Sequence, residues 1–473
     1  MYNNKTTDWL GHPKGLFLLF STEMWERFSY YAMRALLVLY LVDQSHSRGG
    51  GLGWDQASAL QLYGTFTMLI YVTPLFGGWL ADNILGQRRA IMLGSLLMAL
   101  GQFSLALPHH WIAGSELYSF YAGLGLLVFG NGLFKPNICT MVGELYQSDD
   151  PRRDGAFTIF YLGINSGMFL AGIAVGTVIE QFGFSQTDAG TTQLIRNYQA
   201  GFLLAGIGML LALLLQITLA QRLLGDIGVE PTAKRERRRS KCENKTPLTQ
   251  QEIDRFKVVL IMGLFTVIFW AGFEQAGGLL NIYAERFTDR TLGSVELNPA
   301  YFQSLNPFFI MVFAPLIALL WLRLGDKEPN TPVKFALGLL LLSIGFLLMV
   351  AATLQQQDGS KANMLWLVAA YLFFTLGELC VSPIGLAMVT RLSPVRMVSL
   401  LMGAWYLFMA LANKVAGIIG AIVGSTDTDS EQAMLANTLA IFGGLALTAM
   451  CCALLLFLLA DKLVLWMHDS KPR

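Results

Sequence analysis

Charge is what this sequence has least of. Only 14% of its 473 residues are Asp, Glu, Lys or Arg, and 54% are hydrophobic; soluble domains carry about 25% charge. With a mean hydropathy of +0.51, the chain does not read as an ordinary water-soluble domain. A net charge of +1 leaves no overall field to draw nucleic acid, so no nucleic-acid partner is expected. Cysteine is scarce too. Cys139, Cys242, Cys380, Cys451 and Cys452 are odd in number and show no C-x-x-C spacing, which excludes a disulfide framework or a zinc site. The five histidines, His12, His46, His109, His110 and His468, fall outside the central apolar runs and read as solvated. No HExxH, GxSxG or GxxxxGK[ST] pattern occurs, so neither an enzyme nor an ATP-driven pump is indicated, and no metal or cofactor is expected. The early GLFLLF run is too short for a secretory leader, and acidic residues follow it.

What the chain does have is apolar runs of membrane-crossing length. Twelve are read, at about 15–42, 56–82, 89–108, 115–146, 155–180, 197–221, 254–284, 299–322, 333–354, 363–389, 397–424 and 432–461. The fold class is therefore an all-α membrane protein. Between the sixth and seventh runs lies the one long basic stretch, 222–253, containing AKRERRRSKCENK, which reads as a solvated tether. It divides the chain into an N-terminal six-helix bundle, 1–221, and a C-terminal one, 254–473. Most Lys and Arg fall in loops of one side: Arg88/Arg89, Arg152/Arg153, Arg323/Lys327/Lys334, Arg391/Arg396 and the linker. The other side holds only Arg48, Arg196, Arg286, Arg290 and Lys361. Both termini and the linker are thus expected in the cytoplasm.

The first run is the anomaly. STEMWERFSYYAMRALLVLY carries Glu23, Glu26, Arg27 and Arg34, although an Arg, Lys or Asp at a helix centre costs about 2.5–3.5 kcal/mol on insertion scales. At about 100° per residue, Glu23, Glu26, Arg27, Tyr30 and Arg34 share one stripe, with Tyr31 at its edge. Such a stripe suits a wet cavity better than lipid. A structural salt-bridge cluster is the plainer alternative, weakened because buried ion pairs are often poor stabilisers. Further charges sit in later runs: Lys135 in the fourth, Glu274 in the seventh, Glu378 in the tenth and Lys414 in the eleventh. Four acids and four bases in all suit a zwitterionic ligand. Arg27, Arg34 and Lys135 can hold a carboxylate, Arg by a two-point grip; Glu378 can hold an ammonium.

These residues also resemble a known family. Two six-helix halves, with GGWLADNILGQRR after the second helix, resemble the major facilitator superfamily. That loop has three residues between Asp82 and Gly86 where the general motif has two. Within the superfamily, E-x-x-E-R in helix 1 (Glu23, Glu26, Arg27) and FYLGINSG at 160–167 are similar to the signatures of the proton-dependent oligopeptide transporters. DPRRDG, FWAGFEQ, FQSLNP and GELCVSP look like family segments in family order. Met168 stands where a small residue is usual, and Gly172 where a proline is common. The linker is too short for the two extra helices of many bacterial members. The short 355–361 connection, lacking the large insertion of animal members, favours a bacterial chain.

The resemblance implies a monomeric symporter of di- and tripeptides with protons in the bacterial inner membrane, working by alternating access. The same fold serves nitrate, amino acids or peptide-like drugs in other members, and that alternative stays open. By resemblance, proton coupling falls to Glu23, Glu26, Arg27, Lys135 and Glu274, with Glu274 expected to pair with Arg34. Substrate binding falls to Arg27, Tyr30, Tyr31, Arg34, Tyr71, Lys135, Asn165, Trp270, Asn306, Glu378, Ser382 and Trp405. For each aromatic residue, core or lipid packing is the plain alternative; for Asn165 and Asn306 it is an interhelical hydrogen bond. Pro74, Pro136, Pro307, Pro315 and Pro383 lie within runs and can kink their helices.

Overall fold

Among the described residues, thirteen α-helices form. They are α1 Lys14–Val42, α2 Gln56–Leu80, α3 Gln87–Ala106, α4 Glu116–Glu144, α5 Arg153–Gln181, α6 Tyr198–Leu224, α7 Gln250–Phe273, α8 Leu279–Phe287, α9 Leu305–Leu324, α10 Thr331–Gln355, α11 Met364–Leu392, α12 Val398–Gly424 and α13 Glu431–Met467. The computed structural model describes residues 8–44, 50–107, 116–147, 150, 152–188, 191–231, 249–356, 360–393, 397–424 and 431–468. The basic run of the linker, Cys242, His46, His109 and His110 lie outside the described residues.

The expected twelve spans are present, each within a few residues of its sequence limits. Eleven are long and apolar enough to cross a membrane; one of them, Gln250–Phe287, joins α7 and α8. The twelfth is α1, long enough but carrying Glu23, Glu26, Arg27 and Arg34. The sequence reading had no strands. A short antiparallel hairpin, Phe184–Asp188 with Thr191–Ile195, joins α5 to α6. His12 also departs from its expected solvation: it is half-buried, its Nδ1 2.8 Å from the Tyr146 hydroxyl.

The chain divides into two compact units: Met1–Gly53 with Leu69–Asn244, and Trp54–Met68 with Lys245–Arg473. In the first unit, α3 packs on α4, and α1 on α5 and α6. Small residues permit the approach, as in membrane helix pairs generally. A Cβ at Gly94 would lie 2.6 Å from the Gly130 carbonyl oxygen, and one at Gly167 would lie 2.1 Å from that of Met24. In the second unit, α10 packs on α11 and α13 around an apolar cluster including Phe269, Phe346, Phe374 and Phe442.

Two local features explain sequence irregularities. The extra residue between Asp82 and Gly86 is taken up by a π-helical turn, Ala81–Leu85. An inserted residue converts an α-turn to the wider π form. The turn closes with the Gly86 N–H donating to Ala81 O at 2.8 Å, and Gly86 then takes φ 78°, a conformation open mainly to glycine. At the start of α2, Asp55 Oδ1 accepts from the Ser58 N–H at 2.8 Å. That N-cap bond holds the Asp55 carboxyl below its usual range.

Candidate functional site

The charges of α1 converge as the helical stripe requires. Glu26 is fully buried, Glu23 is 2% exposed and Arg27 5%. The Arg27 Nε lies 3.1 Å from Glu23 Oε1 and donates to Glu26 Oε2. One guanidinium therefore bridges two carboxylates three residues apart. The Tyr30 ring stands 5.6 Å from Arg27 Cζ, and Tyr31 5.5 Å from Arg34 Cζ; the two rings meet edge to face at 5.1 Å. Arg34 is itself buried. From α4, Lys135 sets its Nζ 4.5 Å from the Tyr71 ring centre. It forms no ion pair within 4.0 Å among the described residues, yet lies within electrostatic reach of Glu23, Glu26 and Arg27.

Asn131 completes this cluster and escaped the sequence reading. It is fully buried on α4, one turn before Lys135, and its Nδ2 donates to Glu26 Oε1 at 3.2 Å. The available signal was an amide four residues from an intramembrane lysine. Asn165 behaves differently. It is buried, but its Nδ2 donates to the Tyr161 carbonyl of its own helix at 2.9 Å.

In the second unit, Asn306 Nδ2 donates to Glu378 Oε2 at 2.8 Å and to Thr375 Oγ1 at 3.1 Å. Both Asn306 and Glu378 are buried, so the structure joins two of the expected residues through the interhelical hydrogen bond that was the plain alternative for Asn306. Ser382 is half-buried one turn beyond Glu378. Glu274 is buried at the first residue of a 3-10 segment, Glu274–Gly277, where α7 gives way to α8. A helix end leaves carbonyls needing donors, and side chains supply them. Gln275 Nε2 donates to Ala271 O and Ala416 O at 3.0 Å each; Gln303 Nε2 reaches Ala276 O at 2.6 Å; the Tyr371 hydroxyl adds a bond to Ala276 O. Gln275, Gln303, Tyr371 and Thr375 were not among the expected residues. Trp270 packs on Phe269 and Phe273, and Trp405 on Phe335, all within the apolar cluster. Lys414 donates to Thr65 Oγ1 at 2.7 Å.

The first-unit cluster can hold a proton between two carboxylates that share one arginine. The second unit offers a buried carboxylate already oriented by an amide. Among the described residues, no group of three or more His, Cys, Asp or Glu side chains is placed to hold a metal ion.

The POT family matches residues 88–222 and 229–436. The chain is 34% identical over 485 residues to the peptide transporter YePEPT of Yersinia enterocolitica, covering 90% of this chain and 91% of that one. Against the dipeptide and tripeptide permease A of Erwinia pyrifoliae it is 33% identical over 494 residues, covering 97% and 96%. A crystal structure of peptide transporter POT in complex with sulfate is similar with a TM-score of 0.85 and 32% identity, covering 98% of each chain.

Proposed function

This chain belongs to the POT family, and from that premise we propose that it imports di- and tripeptides together with protons by alternating access. The observation that carries the reading is the Arg27 guanidinium held by both Glu23 and Glu26 inside a membrane helix. Ionised groups there are expensive and need a purpose. A carboxyl whose charged and neutral forms are nearly balanced supplies one, because its protonation can follow a change of conformation.

The basic set Arg27, Arg34 and Lys135 takes the peptide carboxylate, and Glu378, oriented by Asn306, takes the ammonium. Tyr30, Tyr31, Tyr71 and Asn165 of the first unit, and Trp270, Ser382 and Trp405 of the second, are the further residues assigned to substrate binding. Glu274 is the second carboxyl assigned to proton coupling. The six-helix bundles 1–221 and 254–473 move largely as rigid bodies, as in superfamily members generally. The protein works as a monomer in a bacterial inner membrane with both termini in the cytoplasm.

The test is uptake by the purified chain in liposomes. Inward acidic gradients should drive accumulation of dialanine, with di- and tripeptides competing and free alanine not. In Glu23→Gln or Glu274→Gln protein, driven accumulation should fall at least tenfold while exchange of internal for external peptide persists. Accumulation indifferent to the pH gradient, or unchanged in both variants, would overturn the coupling.

A further inference from the structure

Within the α1 cluster the two carboxylates are not held alike. Both oxygens of Glu26 are engaged, Oε2 by the Arg27 Nε and Oε1 by the Asn131 Nδ2. Glu23 shares the Arg27 Nε through Oε1 alone, and its buried Oε2 has no partner among the described residues. The Asn131 Oδ1 and the Arg27 Nη2 are likewise buried and unpartnered among them. The donor end of the Asn131 amide is thus the end turned to Glu26; the reverse orientation would set oxygen against oxygen. We infer that Asn131 is a positioning residue, which fixes the Glu26 carboxylate beside Arg27 and so leaves the proton to Glu23.

The reason is the chemistry of the donor. An amide N–H neither gains nor loses a proton in the working pH range, so its bond to Glu26 is present at every pH. Hydrogen bonds to a carboxylate favour its charged form. Glu23 keeps one oxygen uncommitted among the described residues. The other charged or titratable groups near the pair are Arg27, Tyr30 and Tyr31 on α1, Lys135 and Cys139 on α4 and, against Lys135, Tyr71 on α2. The remaining faces of α1 meet Gly163 and Gly167 of α5, Gly208 and Gln216 of α6 and Gln102 of α3. None of those five residues titrates.

This inference rests on the proposed coupling role of the cluster, and the experiment separates the two. Dialanine exchange is measured across pH in liposomes holding wild type, Asn131→Leu, Glu26→Gln and the double variant, normalised to folded protein by size-exclusion profile. Removing the amide donor makes Glu26 compete for the proton. In Asn131→Leu the midpoint of the pH profile should move up by about one unit, a tenfold gain in proton affinity. In the Glu26→Gln background the same change should add no shift. Asn131→Asp keeps the side-chain shape and adds a like charge, so it should move the midpoint at least as far upward; it decides the matter if the leucine variant does not fold. No shift in either single Asn131 variant, or an equal shift with and without Glu26, would overturn the assignment to Asn131. A pH profile and driven uptake both unchanged in Glu26→Gln would overturn the cluster's coupling role itself, and the assignment with it.

Discussion

Arg27 shows how far one side chain can be read from spacing. Glu23, Glu26 and Arg27 lie three and four residues apart, which forces them onto one helical face, and the cost of burying them requires that they meet. Asn131 carries no such mark: a neutral amide in an apolar run hardly changes hydropathy, and only packing of α4 on α1 shows what it touches. Asn306 and Glu378 lie between these cases. Each was a candidate, but their mutual bond joins α9 to α11 across 72 positions, and no local pattern announces it. The bond makes a prediction. Hydrogen bonds to charged groups are worth about 1.5–3 kcal/mol, so Asn306→Leu leaves Glu378 less firmly oriented. The KM for dialanine should rise by about tenfold or more, and Glu378→Gln should raise it at least as much. Peptide concentration series in liposomes measure both; an unchanged KM in the two variants would remove this pair from substrate binding.

At the level of elements, helix number and limits followed from hydropathy and length because lipid allows little else. One residue too many between Asp82 and Gly86 was also visible, but the π-turn at Ala81–Leu85 that absorbs it was not. Nor was the break between α7 and α8. Gly277 and Gly278 hint at it, but the donors that make it tolerable, Gln303 and Tyr371, come from distant segments. Contact between α1 and α5 tests the fold most sharply. A side chain at Gly167 would strike the Met24 carbonyl oxygen, backbone in the turn that holds Glu23 and Glu26. Overpacking of this kind costs about 1–3 kcal/mol. Gly167→Val should lower the unfolding temperature in detergent by a few degrees and reduce driven uptake with it. Gly125→Val, where nothing lies within 4 Å of the added Cβ, should leave the unfolding temperature within about a degree. Equal unfolding temperatures for the two variants would mean that α1 and α5 do not approach as described.

For the whole molecule, the sequence signal lay in its balance: four acids and four bases placed in membrane runs, neutral together, spread through both halves. Spacing within α1 alone brings Arg27 to Glu23 and Glu26, whereas the Asn306 amide that holds Glu378 is revealed only by the packing of neighbouring helices. The balance itself predicts how the transporter treats its cargo. If the charged set recognises the two ends of a peptide rather than its side chains, each end contributes a charge-assisted contact worth about 1.5–3 kcal/mol, or roughly ten- to over a hundredfold in affinity. N-acetyl-dialanine lacks the ammonium and dialanine amide lacks the carboxylate. Each should compete for dialanine uptake at least tenfold more weakly than the free dipeptide, and the doubly blocked peptide should hardly compete. The variants assign the ends. In Glu378→Gln protein, acetylation should cost little further, because its partner is already gone, whereas amidation should still cost in full. Changing side chains while leaving both ends free, from dialanine to leucyl-alanine, should alter competition far less than either block. Competition by the doubly blocked peptide equal to that of dialanine would show that the intramembrane charges serve the protein's own packing and not the ends of its substrate.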